Sequence, residues 1–210
     1  MKGKIIYCIV DETDPYEEFE CEGEVVATFL RTSGSVDLKR SLSLVRRKID
    51  IERALKRHCS KPFNIFHIAA HGAYLRRTKG RLDHASIYRT RGRRDVEIMR
   101  PDTLVRAKVQ CDLLLSTCCE SFNKYFLEVI EGYGGVRNFI APAGDPLIGD
   151  TMVFAMMFYN DLLCRTCPSK RWLGDRDVIA SFRTVRRAYL TYGGEGRFRL
   201  YNHETGKIYG

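Results

Sequence analysis

Two stretches of the chain carry residue types that can do chemistry together. One is Phe66-His67-Ile68-Ala69-Ala70-His71-Gly72, and the other is Leu113-Leu114-Leu115-Ser116-Thr117-Cys118-Cys119-Glu120-Ser121. Each is an apolar run that ends in polar, reactive side chains. An imidazole beside a thiol stabilises the thiolate and later protonates a leaving amine. A glycine straight after the histidine lets a backbone N–H approach a substrate carbonyl closely. That N–H and the nucleophile's own N–H would then form an oxyanion hole. Competing chemistries fit less well. A cysteine-dependent phosphatase requires an arginine where this chain has Lys124 or Tyr125. A nucleophile elbow requires a glycine on each side of the nucleophile, and neither cysteine has one. No glycine-rich phosphate loop ending in Lys-Ser or Lys-Thr is present.

These residues need elements to hold them. Residues 4–10, Phe63–Ala70, Asp112–Thr117 and Val136–Ala141 read as buried strands, apolar and partly β-branched. Between them, helical spacing runs over 42–58, 101–109 and 122–133, the last stopped by Gly134-Gly135. Asp150 is placed to cap a helix over 151–163. A last helix puts Val178, Phe182, Val185 and Tyr189 on one face. Residues 11–24 read as a loop, Val25–Leu30 suits a helix, and a small hairpin fits around Ser86–Tyr88 and Val96–Ile98. Phe198 and Leu200 suggest a final edge strand. Strands alternating with helices predict an α/β fold with a central, mostly parallel sheet, in one domain over residues 1–210. Ligands of such sheets bind beyond the carboxyl ends of the strands. Both reactive stretches are strand ends, and neighbouring strands lie ~4.8 Å apart.

Ile68-Ala69-Ala70-His71-Gly72, followed by a small hairpin and then Leu113–Ser121, resembles the CHAT domain, a family of caspase-like cysteine peptidases. Gly135–Ala141 is similar to the family's strand after the nucleophile. Asp150, with Phe158-Tyr159 further on, is similar to its next helix. The resemblance covers residues 63–190. It implies a caspase-hemoglobinase-like three-layer sandwich, with His71 as general base. The oxyanion donors would be the backbone N–H groups of Gly72 and of the cysteine. The nucleophile is Cys118 when counted from Ser116-Thr117 and Cys119 when counted back from Glu120-Ser121. Strand length favours Cys118 and leaves Cys119 as the alternative. The implied activity is a cysteine endopeptidase acting on a protein substrate, often as a triggered effector, with an activating or regulatory protein partner. A degenerate member serving as an interaction module is a second reading. No residue is assigned to a specificity pocket.

Composition bounds the remaining classes. The 210 residues carry 35 Lys and Arg against 26 Asp and Glu, a net charge of +9. That balance raises the odds of an acidic partner. The charge is unevenly spread. Residues 11–24 hold eight acidic residues and no basic one, whereas 76–100 hold nine basic residues against three acidic. A third block, 165–187, is also Arg-rich. No helix-turn-helix, zinc-finger or RNA-binding signature accompanies these blocks, so nucleic-acid binding is the weaker reading. The acidic block and the Arg-rich 76–100 block follow strands of one parallel sheet, so both are expected to flank the same edge. No apolar run is long enough to span a bilayer or serve as a signal core. The eight cysteines are accordingly expected to be free thiols in the cytoplasm, with no membrane partner. No cofactor or metal is expected. Cys164 and Cys167 lack a second pair, and His67 sits too far from His71 along a strand to share a zinc. His67 reads as a core histidine, Cys8, Cys59 and Cys111 as small packed hydrophobes, and Met152–Met157 as core.

Overall fold

The computed structural model describes residues 6–10, 22, 25–26, 28–29, 32, 42–45, 63–76, 82–89, 96–165, 173–195 and 197–210. Strands β1 (Ile6–Val10), β2 (Leu42–Val45) and β3 (Phe63–Ala69) come first, then β4 (His71–Arg76), β5 (Leu82–Arg89) and β6 (Val96–Met99). Helix α1 (Asp102–Arg106), β7 (Cys111–Ser116), α2 (Lys124–Tyr133) and β8 (Val136–Pro142) follow. Helices α3 (Ile148–Arg165) and α4 (Asp175–Thr191) lead to β9 (Phe198–Asn202) and β10 (Lys207–Tyr209). The central sheet has seven strands in the order β10-β9-β8-β7-β3-β1-β2. Strands β2, β1, β3, β7 and β8 run parallel, while β9 is antiparallel to both its neighbours. A separate antiparallel sheet pairs β4 with β5 and β5 with β6.

Both faces of the central strands are covered, which explains why they read as continuous apolar runs. Strict alternation still sorts the side chains. Phe66, Ile68, Ala70, Leu114 and Cys118 pack on one face with Leu104 of α1 and Phe126 and Ile130 of α2. Ile65, Leu113 and Leu115 pack on the other with Phe154 and Phe158 of α3 and Val178 and Phe182 of α4. Phe154 stacks on Phe198 with ring centroids 3.8 Å apart and meets Phe182 and Tyr189 edge-on. Each such fully buried ring is worth about 1.5–3 kcal/mol, so this cluster fixes both helices on the sheet. This is the α/β, three-layer arrangement read from the sequence.

Local signals account for some boundaries. The Asn123 side chain accepts the Phe126 N–H at 3.1 Å and starts α2. Gly134, at φ 71°, ends it by donating its N–H to Ile130. Other expectations need correction. Leu42–Val45 is a strand parallel to β1, not the start of a helix; the rest of 42–58 lies outside the described residues. Leu42 and Leu44 satisfy period two as well as they begin a helical pattern. Asp150 does not cap α3, which starts at Ile148, and the Leu147 carbonyl accepts the Thr151 N–H at 3.1 Å. Asp150 instead places a negative charge in the first turn, where the helix dipole favours it. Phe198–Asn202 is not the edge, because β10 pairs outside it. The small hairpin is present as read, with Ile87 opposite Ile98 and Tyr88 opposite Glu97, and β4, beginning at His71 itself, adds a third strand to it. Met152, Met156 and Met157 are only half-buried, and the phenylalanines between them fill the core. No described helix is long and apolar enough to cross a membrane.

Candidate active site

Strands β3 and β7 are direct neighbours, with Ile68 level with Ser116. Their carboxyl ends therefore leave the sheet side by side. After a bend at Ala70 the chain enters β4, where His71 pairs with Ile87 and Gly72 with Ser86. The small sheet thus orients the His-Gly backbone over the end of β7. Gly72 packs directly on the Cys119 peptide. A Cβ there would overlap the Cys119 carbonyl oxygen and lie only 3.0 Å from its carbonyl carbon and amide nitrogen. Glycine is required here by close approach of two backbones, since real Cβ atoms do not tolerate such contacts. The His71 side chain is exposed at this rim.

The two cysteines have different environments. Pairing continues one residue past β7, because the Thr117 N–H donates to the Ile68 carbonyl at 2.9 Å. Alternation then carries Cys118 onto the α1–α2 face, fully buried, with its thiol 3.9 Å from the Ile68 carbonyl oxygen. The Cys118 N–H donates to Ser116 Oγ at 3.3 Å, and Ser121 Oγ lies 2.7 Å from the Cys118 carbonyl. Cys119 follows in the turn that leaves the sheet and is half-buried. The turn after it uses a left-handed residue, Glu120 at φ 51°. It is tied to the end of β8 by Glu120 N–H to Gly144 O at 2.9 Å and Phe122 N–H to Pro142 O at 2.8 Å.

Burial, then the charge of Asp145, pushes the Cys119 thiol up to about 11. The neighbouring Cys118 and a hydrogen bond to Asp145 add to the shift, and the residue's own backbone N–H opposes it. The resting group is therefore a thiol that needs a base. Exposed Asp145 stands just beyond β8, at a strand end that no motif in the sequence marks. Neutralising it removes a negative charge that disfavours thiolate. Asp145→Asn is expected to move the pH midpoint of Cys119 alkylation downward and to speed alkylation at pH 8 several-fold. Peptide-resolved mass spectrometry after iodoacetamide pulses reads this, and an unmoved midpoint would show that Asp145 does not act on the thiol.

Below the site, on the α3–α4 face, lies a buried polar network. His67 Nε2 is 3.1 Å from Glu22 Oε1, and Tyr159 OH is 3.0 Å from His67 Nδ1. The Thr151 hydroxyl donates to the other Glu22 oxygen at 3.4 Å, and the Thr117 hydroxyl lies between that oxygen, at 3.3 Å, and the Ile68 carbonyl, at 3.2 Å. Glu22, His67 and Tyr159 are all fully buried. His67 is thus a core histidine, as its strand position implied. Glu22 departs from the reading of 11–24 as a loop: it is helical and buried. Nothing in a run of acidic residues marks which one goes inside. The other acidic residues of that block lie outside the described residues, as do Arg77–Arg81 and Thr90–Asp95 of the basic one. Cys111 is buried and Cys164 exposed; the side chain of Cys8, and all of Cys59 and Cys167, lie outside the described residues.

A mostly parallel seven-stranded sheet, helices on both faces and a small antiparallel sheet leading from one strand end define a caspase-like α/β fold. Among solved structures it is similar to a secreted C11 cysteine protease from Bacteroides thetaiotaomicron, determined with an irreversible peptide inhibitor. The TM-score is 0.58 at 12% identity, and the match covers 96% of this chain and 66% of that one. This chain thus spans just under two thirds of that protein's chain. No protein-family model and no curated protein matches.

Proposed function

We propose that this chain is a caspase-like cysteine peptidase of the CHAT type with Cys119 as nucleophile and His71 as general base. The observation that carries this is the contact of the Gly72 backbone with the Cys119 peptide, which brings the His-Gly and Cys strings together. His71 takes the thiol proton as sulfur attacks the scissile carbonyl. The N–H groups of Gly72 and Cys119 stabilise the oxyanion. The C–N bond breaks, His71 returns the proton to the leaving amine, and a thioester remains. Water, deprotonated by His71, then releases the acid and restores the thiol. A protein substrate belongs to this proposal, as do a partner protein that triggers cleavage and a reducing, cytoplasmic setting.

The test is labelling with a peptidyl acyloxymethyl ketone, with the modified peptide mapped, in parent and His71→Ala. Loss of the base is expected to slow labelling by about 10²-fold or more. A second reading, a caspase-like module that binds without cutting, is favoured by the raised Cys119 thiol. Equal, slow labelling of both proteins would select it.

A further inference from the structure

Helix α4 and strand β10 enclose an open groove of about 720 Å³ at the far side of the central sheet. Its walls include Arg183, Arg186 and Arg187 from the helix and Tyr209 from the strand, over an apolar floor of Phe182 and Leu190. Among the described residues these three arginines form no ion pair. Like charges spaced three and four apart on a helix repel, so the cluster disfavours the empty state and suits an anionic occupant. Arg183 is already held in place, its guanidinium 5.0 Å from the Tyr209 ring centroid.

The other wall narrows the chemistry. Among the described residues β10 pairs on one side only, with β9. Its outer backbone groups can take an added strand. Arg183 and Arg187 stand one helical turn apart, a rise of ~6 Å. Alternate side chains of an extended peptide repeat at ~6.8 Å. Carboxylates at every second position of a strand laid along β10 would therefore match the arginines in step. A second copy of this chain would bring the same three arginines against them and is disfavoured by like charge. A nucleic acid would leave the strand edge and the apolar floor unused.

We propose that this groove binds an extended acidic segment of a partner protein, with carboxylates at alternate positions facing Arg183 and Arg187 and backbone pairing to β10. The groove reaches the same end of the strands as the candidate site. Tyr209 is level with Leu200 and so with Ile140, near the carboxyl end of β8. Three strand spacings, ~14 Å, separate β10 from β7, so one protein can occupy both. The binding proposal itself does not rest on peptidase activity.

The experiment is fluorescence anisotropy with a labelled ten-residue peptide alternating Glu and Thr, titrated with the full chain. Binding is expected to weaken about tenfold or more with the Gln-for-Glu peptide and with Arg183→Glu/Arg187→Glu, and to fall with salt. A proline at a central Thr position is expected to weaken it comparably, since proline removes a ladder donor. Both arginines are exposed, and an unchanged melting curve will show that the variant folds. No binding of the Glu peptide, binding indifferent to the arginines, or full retention with proline would overturn the proposal. Equal or tighter binding of an oligothymidylate of the same charge would reassign the groove to nucleic acid and overturn it too.

Discussion

Cys119→Ala is expected to abolish probe labelling and peptide cleavage, whereas Cys118→Ala keeps both within a few-fold of the parent. The contrast follows from one residue of strand. The Thr117 N–H still bonds the Ile68 carbonyl, so Cys118 stays in the alternating pattern and is delivered to the α1–α2 core. Its thiol is fully buried, and its own N–H is bonded to Ser116 Oγ. Cys119, the proposed nucleophile, is half-buried at the rim and its peptide abuts Gly72. Removing a catalytic nucleophile leaves only what binding and oxyanion donors supply, a loss on the order of 10³-fold or more. Truncating Cys118 empties a small volume in the core and costs ~1 kcal/mol, visible as a modest fall in melting temperature. The two readouts separate the roles: activity for Cys119, stability for Cys118. A dead Cys118→Ala that melts like the parent, beside an active Cys119→Ala, would return the nucleophile to Cys118.

The same residues show how far the sequence could be read. The runs Phe63–Ala70 and Leu113–Thr117 announce buried strands, because a sheet covered on both faces keeps most positions apolar; that the two are neighbours comes only from their pairing. His71-Gly72 at one strand end is legible for the same reason. The choice between Cys118 and Cys119 is not, because it depends on where pairing stops. That is set by the partner strand, not by the two cysteines themselves. Leu42–Val45 is ambiguous in sequence: four residues satisfy either period, and pairing with β1 makes them a strand. Asp145 was hidden because its effect comes through space, across the ends of β7 and β8. Glu22 is the extreme case. Within the acidic run its type and neighbours predict solvent, and partners far along the chain, His67, Thr117 and Thr151, make burial tolerable.

Glu22→Ala is expected to destabilise the fold by about 1–3 kcal/mol, the cost of leaving buried polar groups short of a partner. With total stabilities of about 5–15 kcal/mol, a urea midpoint will read this directly. Glu22 meets His67 Nε2 through one oxygen and the hydroxyls of Thr117 and Thr151 through the other, so its loss removes a partner from three groups at once, although Thr117 keeps the Ile68 carbonyl and His67 keeps Tyr159. Glu22→Gln keeps an acceptor and a similar shape, and is expected to cost clearly less. His67→Ala strands the same carboxylate from the other side and frees Tyr159 OH, so it too is expected to be severe. The double variant Glu22→Ala/His67→Ala is expected to fall short of the sum of the singles by about 1–3 kcal/mol, the signature of direct coupling. Additive losses would mean that the two residues act independently. Thr117 precedes the cysteines by one residue, so slackening its hydroxyl anchor also loosens the turn that presents Cys119. Glu22→Gln separates the two effects. It is expected to stay folded while probe labelling slows several-fold, because the amide holds Thr117 less firmly than a carboxylate does. Unchanged labelling in a folded Glu22→Gln would confine the network to stability and detach it from the site above it.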